Sequence, residues 1–167
     1  MFEIGDFIVY GNVGVCTVEE IGSLDSPLIP EDKKYYTLVP YYTKGSKIFT
    51  PIDNKKVVMR PVISKDEAMD LVEDINNINS LDIPQEKGRE ARYKEIFSKC
   101  DCRELVKLIK TIYERKDERE ADGKKLTVAD EKFIRLAEES LFGELAIPLD
   151  MGIEEVKDFV LQQVGQK

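Results

Sequence analysis

The hydrophobic pattern changes its period once along this chain, at Pro61 to Ser64, and that change restricts the fold more than any other feature. Before it, apolar residues come in short runs rich in β-branched and aromatic side chains, separated by Gly, Asn, Asp and Pro. After it, apolar residues recur three and four positions apart over long stretches. A period near two favours strands and a period near 3.6 favours helices, so one β domain followed by one α domain is expected. The predicted fold class is α+β in two domains, with boundaries at 1–63 and 64–167.

Five short strands are predicted in the first domain: Phe7–Tyr10, Val13–Ile21, Lys34–Pro40, Ser46–Pro51 and Val57–Arg60. Gly11-Asn12, a Ser23 to Asp32 loop with prolines, Lys44-Gly45 and Asp53-Asn54 supply the turns. Strands this short and evenly spaced suggest a small, strongly bent antiparallel barrel.

In the second domain, Ser64-Lys65-Asp66-Glu67 reads as a capping box, followed by a stripe of Ala68, Leu71, Val72, Ile75 and Ile78. Asn76 to Pro84 ends that helix. A short helix near Arg89–Ser98 buries Tyr93, Ile96 and Phe97. Asp101 to Glu104 caps a longer one, with Leu105, Leu108, Ile109, Ile112 and Tyr113 inward. Asp122-Gly123 breaks it. Thr127 to Asp130 caps the next, with Phe133, Ile134, Ala137, Leu141 and Leu145 inward. A last helix begins at Asp150 or Gly152 and runs through Val156, Phe159, Val160 and Val164. The second domain is therefore expected to be an all-α bundle of five helices, with Phe133, Leu141 and Phe159 in its core.

Composition narrows the function. Catalysis finds little to work with. The chain has no histidine, so the commonest general base is missing and no Ser or Cys has an activating partner of that kind. Gly11-x-x-Gly14 lacks the Lys-Ser/Thr of a phosphate-binding loop. Glu138-Glu139 and Glu154-Glu155 are adjacent on helices and diverge. Cys16, Cys100 and Cys102 have neither disulfide-framework nor zinc spacing. No enzyme activity, metal, cofactor or small-molecule substrate is expected. Hydrophobic residues make up 42% of the chain, yet no run reaches a membrane span, and Glu3 and Asp6 do not suit a secretory signal. A cytoplasmic protein is expected. The net charge of −8 is uneven: residues 85–135 carry +3, between flanking blocks of −5 at 64–84 and 136–167.

Particular residues in order carry a resemblance. Phe2-Glu3-Ile4-Gly5-Asp6-Phe7-Ile8-Val9-Tyr10, then Gly14-Val15, resembles the start of the CarD/CdnL family of bacterial transcription regulators. The same module is similar to the polymerase-binding domain of transcription-repair coupling factor. Tyr35 to Pro40 and Ile48 to Asn54 look like that family's middle strands. Arg92-Tyr93-Lys94 and Phe142 to Ala146 look like landmarks of its helical domain. The resemblance implies a Tudor-like (SH3-like) barrel that docks on the β subunit of RNA polymerase. It also implies a helical domain that contacts upstream promoter DNA and alters open-complex stability.

Two surfaces follow as candidates. An unpaired strand edge can accept a partner's strand, and Lys44, Lys47, Ile48, Phe49 and Thr50 are the expected polymerase contact. Arg89, Arg92, Lys94, Lys124, Lys125 and Lys132 form the basic block that could grip phosphates. Many family members have a tryptophan three residues before the Arg-Tyr-Lys run, where it wedges into the minor groove. This chain has Arg89 there, so DNA contact is expected to be weak and electrostatic, and to count only within the polymerase complex. The alternative is an adaptor that binds polymerase through its β domain without useful DNA affinity.

Overall fold

A computed structural model describes residues 1–83 and 87–165, with side chains through Gln163. The Pro84 helix stop and the Val164 side chain fall outside the described residues. The chain divides into two compact units, Met1–Val62 and Ile63–Lys167.

The first unit is an open antiparallel sheet of five strands: β1 (Phe7–Tyr10), β2 (Gly14–Ser23), β3 (Lys34–Pro40), β4 (Ile48–Pro51) and β5 (Met59–Pro61). Their spatial order is β4-β3-β2-β1-β5, so β4 and β5 are the edges. Pairing of Ile8 with Cys16, Val18 with Leu38, and Tyr36 with Thr50 defines one face. That face buries Ile8, Cys16, Val18, Tyr36 and Leu38, with Phe2, Ile21, Ile48 and Met59 packed around them. Burial pushes the Cys16 thiol up to about 11. A register shift between Val18 and Glu20 marks a bulge in β2, which bends a strand locally.

Three strand starts differ from expectation, and β2 and β5 end at Ser23 and Pro61 instead of Ile21 and Arg60. Gly11–Val13 forms a 3-10 turn instead of a two-residue turn. Gly14 leaves it at φ +91, so β2 starts at Gly14 and not at Val13. Gly45 sits at φ +92, and β4 begins only at Ile48. The Gly11 N–H donates to the Val58 carbonyl at 2.8 Å, and β5 pairing begins one residue later.

The second unit contains α1 (Lys65–Asp74), α2 (Arg89–Phe97), α3 (Cys102–Ala121), α4 (Val128–Leu149) and α5 (Ile153–Gly165). Ser64 with Glu67 and Thr127 with Asp130 form reciprocal capping boxes at the starts of α1 and α4. The Asp101 carboxylate accepts from the Arg103 and Glu104 amides and starts α3. Asp150 lies at φ +52 and closes α4, so α5 starts after it, at Ile153.

One core joins the helices. It includes Leu71, Val72, Tyr93, Ile96, Leu105, Leu108, Ile112, Phe133, Leu141 and Leu145. The centre of α4 is buried on every side from Leu141 through Ala146, as expected of a helix packed on by others. Glu144 within it is buried and accepts from the Ile63 amide at 3.1 Å and the Cys102 thiol at 3.2 Å.

Two core expectations are corrected. Tyr113 is 46% exposed, its hydroxyl donating to Glu138 at 2.8 Å. The buried stripe of α3 continues instead from Leu105, Leu108 and Ile112 to Arg115, three residues on. Phe159 is only half-buried at the margin of the core, whereas Phe133 and Leu141 lie inside it. Among the described residues, no helix is long and apolar enough to cross a membrane.

Candidate binding surfaces

The β4 edge is built by alternation. Ile48 and Thr50 turn toward the core face, and Thr50 is buried, accepting from Asn54 Nδ2 at 2.9 Å. Phe49 turns the other way and is 53% exposed. Lys47 ion-pairs with Glu19 across the sheet at 3.4 Å. Lys44 lies in the preceding loop and is exposed. Of the five expected contact residues, then, Lys44, Lys47 and Phe49 offer side chains outward, while Ile48 and Thr50 anchor the strand inward.

The outward face continues beyond Phe49. Strand register places Phe7, Thr17, Val39 and the buried Thr37 on the same side. Phe7 packs edge-on against Tyr41 at 5.4 Å, and Tyr41 against Tyr42 at 4.9 Å. All three are substantially exposed. Burial, then the neighbouring Tyr41, raises the Tyr42 hydroxyl above its ordinary value. A shallow groove of about 460 Å³ runs beside them, lined by Thr17, Val39, Tyr41 and Lys44 among others. Sequence reasoning passed over Phe7, Tyr41 and Tyr42. The available signal was a pair of adjacent aromatics directly after Pro40, where a strand ends.

The basic residues are placed very differently from one another. Arg92, Lys94, Lys124, Lys125 and Lys132 are half to fully exposed. Arg92 ion-pairs with Glu95 at 3.1 Å. The Lys132 ammonium lies 5.4 Å from the Phe133 ring. The Lys125 carbonyl accepts from Arg119 Nε at 2.6 Å, which ties down the turn carrying Lys124 and Lys125.

Arg89 departs from expectation. Its side chain is only 11% exposed. Nε donates to the Tyr93 hydroxyl and Nη1 to the Ile83 carbonyl, both at 2.6 Å. Tyr93 in turn donates to Asp130 Oδ1 at 2.7 Å, and Arg115 Nε donates to Asp130 Oδ2 at 2.7 Å. Asp130 is fully buried and also accepts from the Thr127 amide. Burial alone would raise the Asp130 carboxyl. The bonds from Arg115, Tyr93 and Thr127 outweigh it and hold the group below the usual carboxylate range. Burial, then the Asp130 carboxylate, pushes the Tyr93 hydroxyl up to about 12. The guanidinium expected on the surface is therefore spent inside the helical unit, because a buried carboxylate needs donors within reach.

A small open sheet with a short edge strand, flanked by exposed aromatics and lysines, has the geometry to accept a partner's strand. Residues 2–63 match the CarD-like/TRCF RID domain model, consistent with a CarD/CdnL-like family. At the family level, this domain is an RNA polymerase interaction domain. The match ends at residue 63, so the helical unit lies outside it. No curated protein matches the chain significantly.

Proposed function

We propose that this chain is a non-catalytic bacterial transcription regulator of the cytoplasm. It binds the β subunit of RNA polymerase by strand addition at β4, on a sheet that curls into a Tudor-like barrel. Its helical unit contacts upstream promoter DNA and alters the stability of the open complex. Contacts made better in the open state than in the closed state shift that equilibrium by their difference. The observation that carries this reading is the free β4 edge, with Phe49 and Lys47 beside it, within residues that match the polymerase-interacting family.

Arg92, Lys94, Lys124, Lys125 and Lys132 supply the phosphate contacts. Arg89 is not among them, because its guanidinium is held by Tyr93 and Ile83. That enclosure also favours a second reading, the adaptor that binds polymerase without useful DNA affinity.

The test is capture of the polymerase β subunit by the immobilised full-length chain. Phe49→Asp sets an exposed carboxylate against the incoming strand and should weaken capture at least roughly tenfold, the scale of one lost aromatic anchor. Circular dichroism of the variant should be unchanged. Capture equal to wild type removes β4 as the docking edge. Open-complex lifetime at two salt concentrations then separates the two readings, since phosphate contacts release counterions and a pure adaptor has no such dependence.

A further inference from the structure

The cluster around Asp130 has a geometry that packing alone does not require. A Tyr93 hydroxyl has one proton and spare lone pairs. Here it spends the proton on Asp130 and accepts from Arg89 Nε. The Tyr93 hydroxyl thus bridges Arg89 on α2 and the carboxylate that starts α4, beside a direct but longer Arg89–Asp130 ion pair at 3.9 Å. Asp130 is also the reciprocal capping residue of α4 and the acceptor for Arg115 on α3. Three helices therefore meet on one carboxylate.

α2 depends on that meeting point. It has nine residues, begins after Gly88 at φ +80, and has no side-chain cap. A helix this short is marginal by itself and takes its position from tertiary contacts. Its ties to α4 include the Tyr93–Asp130 bond at 2.7 Å, the longer Arg89–Asp130 ion pair at 3.9 Å, and the packing of Tyr93 and Phe97 on Phe133, at 5.7 Å and 6.3 Å. Ring packing tolerates sliding and rotation. A hydrogen bond to a buried carboxylate has fixed length and direction.

The exposed cations of the basic block lie close to this point in the chain. Arg92 and Lys94 flank Tyr93, Lys132 follows Asp130 by two, and Lys124 and Lys125 immediately precede the Thr127 cap. We propose that Tyr93 is a positioning residue for this basic face: its hydroxyl, bridging Arg89 and Asp130, fixes α2 against the start of α4 so that cations from both elements meet one nucleic-acid backbone. Arg89 and Arg115 are the counter-cations that let the carboxylate stay ionised while buried. The assignment rests on the DNA-contacting reading of the helical unit.

The experiment compares full-length variants for their effect on open-complex lifetime at two salt concentrations, together with thermal midpoints. Tyr93→Phe keeps the ring on Phe133 and deletes only the bridging hydroxyl. Ile112→Val, a core change on α3 that removes none of the cluster's polar groups, is the control for a thermal loss of comparable size. Arg92→Glu with Lys94→Glu tests the face itself. Tyr93→Phe should reduce the lifetime effect roughly fivefold, within the usual range of coupling between sites, and flatten its salt dependence. Ile112→Val should leave both as in wild type. If Tyr93→Phe fails to fold, Arg89→Lys replaces it, since lysine keeps the charge but not the fixed Nε donor.

A wild-type effect retained in Tyr93→Phe overturns the positioning role. Equal losses in Tyr93→Phe and Ile112→Val overturn it too, because stability alone then explains both. A lifetime effect that survives the Arg92/Lys94 reversal, or a wild type with no effect, removes the DNA-contacting reading and the positioning role with it. An effect lost on charge reversal but kept in Tyr93→Phe removes only the positioning role.

Discussion

Removing the Asp130 carboxylate should be among the most damaging single changes available in the helical unit. In Asp130→Ala, the α4 capping box loses its reciprocal half, a loss of about 1 kcal/mol. Arg115 Nε and the Tyr93 hydroxyl, both bonded to that carboxylate at 2.7 Å, lose their acceptor in a buried site. Breaking a buried charge pair by deleting one partner costs about 3–5 kcal/mol. Together these, about 4–6 kcal/mol, match the lower end of an ordinary domain's whole stability, about 5–15 kcal/mol. Asp130→Asn keeps the volume and one carbonyl, so it should cost less, about 2–4 kcal/mol.

The charge also sets a pH signature. The folded-state pKa of Asp130 lies below its ordinary value, so its stabilisation is fully present above the unfolded value, about 3.9. It fades as pH falls through the folded value. Urea unfolding of wild type and Asp130→Asn at about pH 7, 4 and 2.5 should therefore show a gap in stability that holds to near pH 4 and narrows below it. A gap below about 0.5 kcal/mol at pH 7, the usual scatter of surface substitutions, would refute the buried network. So would a gap that stays constant with pH.

Other outcomes follow from burial and backbone geometry. Phe133→Ala, which removes a ring packed on both Tyr93 and Phe97, should cost about 3–5 kcal/mol in chemical unfolding. Phe159→Ala, at the half-buried margin, should cost clearly less, and equal losses would contradict the arrangement of α4 and α5. Gly11→Ala should destabilise the β unit by about 1–3 kcal/mol. A Cβ there would lie 2.7 Å from Val57 Cγ1 at a φ of +47, so a variant as stable as wild type would argue against the 3-10 turn.

What could be read from the sequence was what depends on local pattern. The switch at Pro61 to Ser64, the Ser64 and Thr127 capping boxes, and the β-branched and aromatic run Phe7–Tyr10 each report a neighbour or two along the chain. The β4 edge was legible in part, because a run ending at Pro51 after Gly45 makes a short strand with exposed side chains. The Asp130 network was not, because its partners Arg115 and Tyr93 are 15 and 37 residues away. Arg115 did continue the α3 stripe of Leu108 and Ile112, but a charged residue on an apolar stripe reads as its end. Arg89 was misplaced for the complementary reason: position along a basic segment says nothing about whether a buried acceptor waits across the fold. Tyr113 was misassigned by one residue of helical rotation, about 100°.

An edge that can receive a partner's strand is also exposed to other copies of the same chain. β4 has four residues, preceded by Lys47 and ended by Pro51. Proline brings no donor, and lysine resists stacking against a like neighbour. Main-chain pairing over so short a span is too weak to hold two chains by itself. Any lasting complex must draw the rest of its affinity from side chains such as Phe49 and Tyr41. A long, unguarded edge would aggregate, whereas on the proposed reading one this short pairs durably only with a strand that brings the right neighbours.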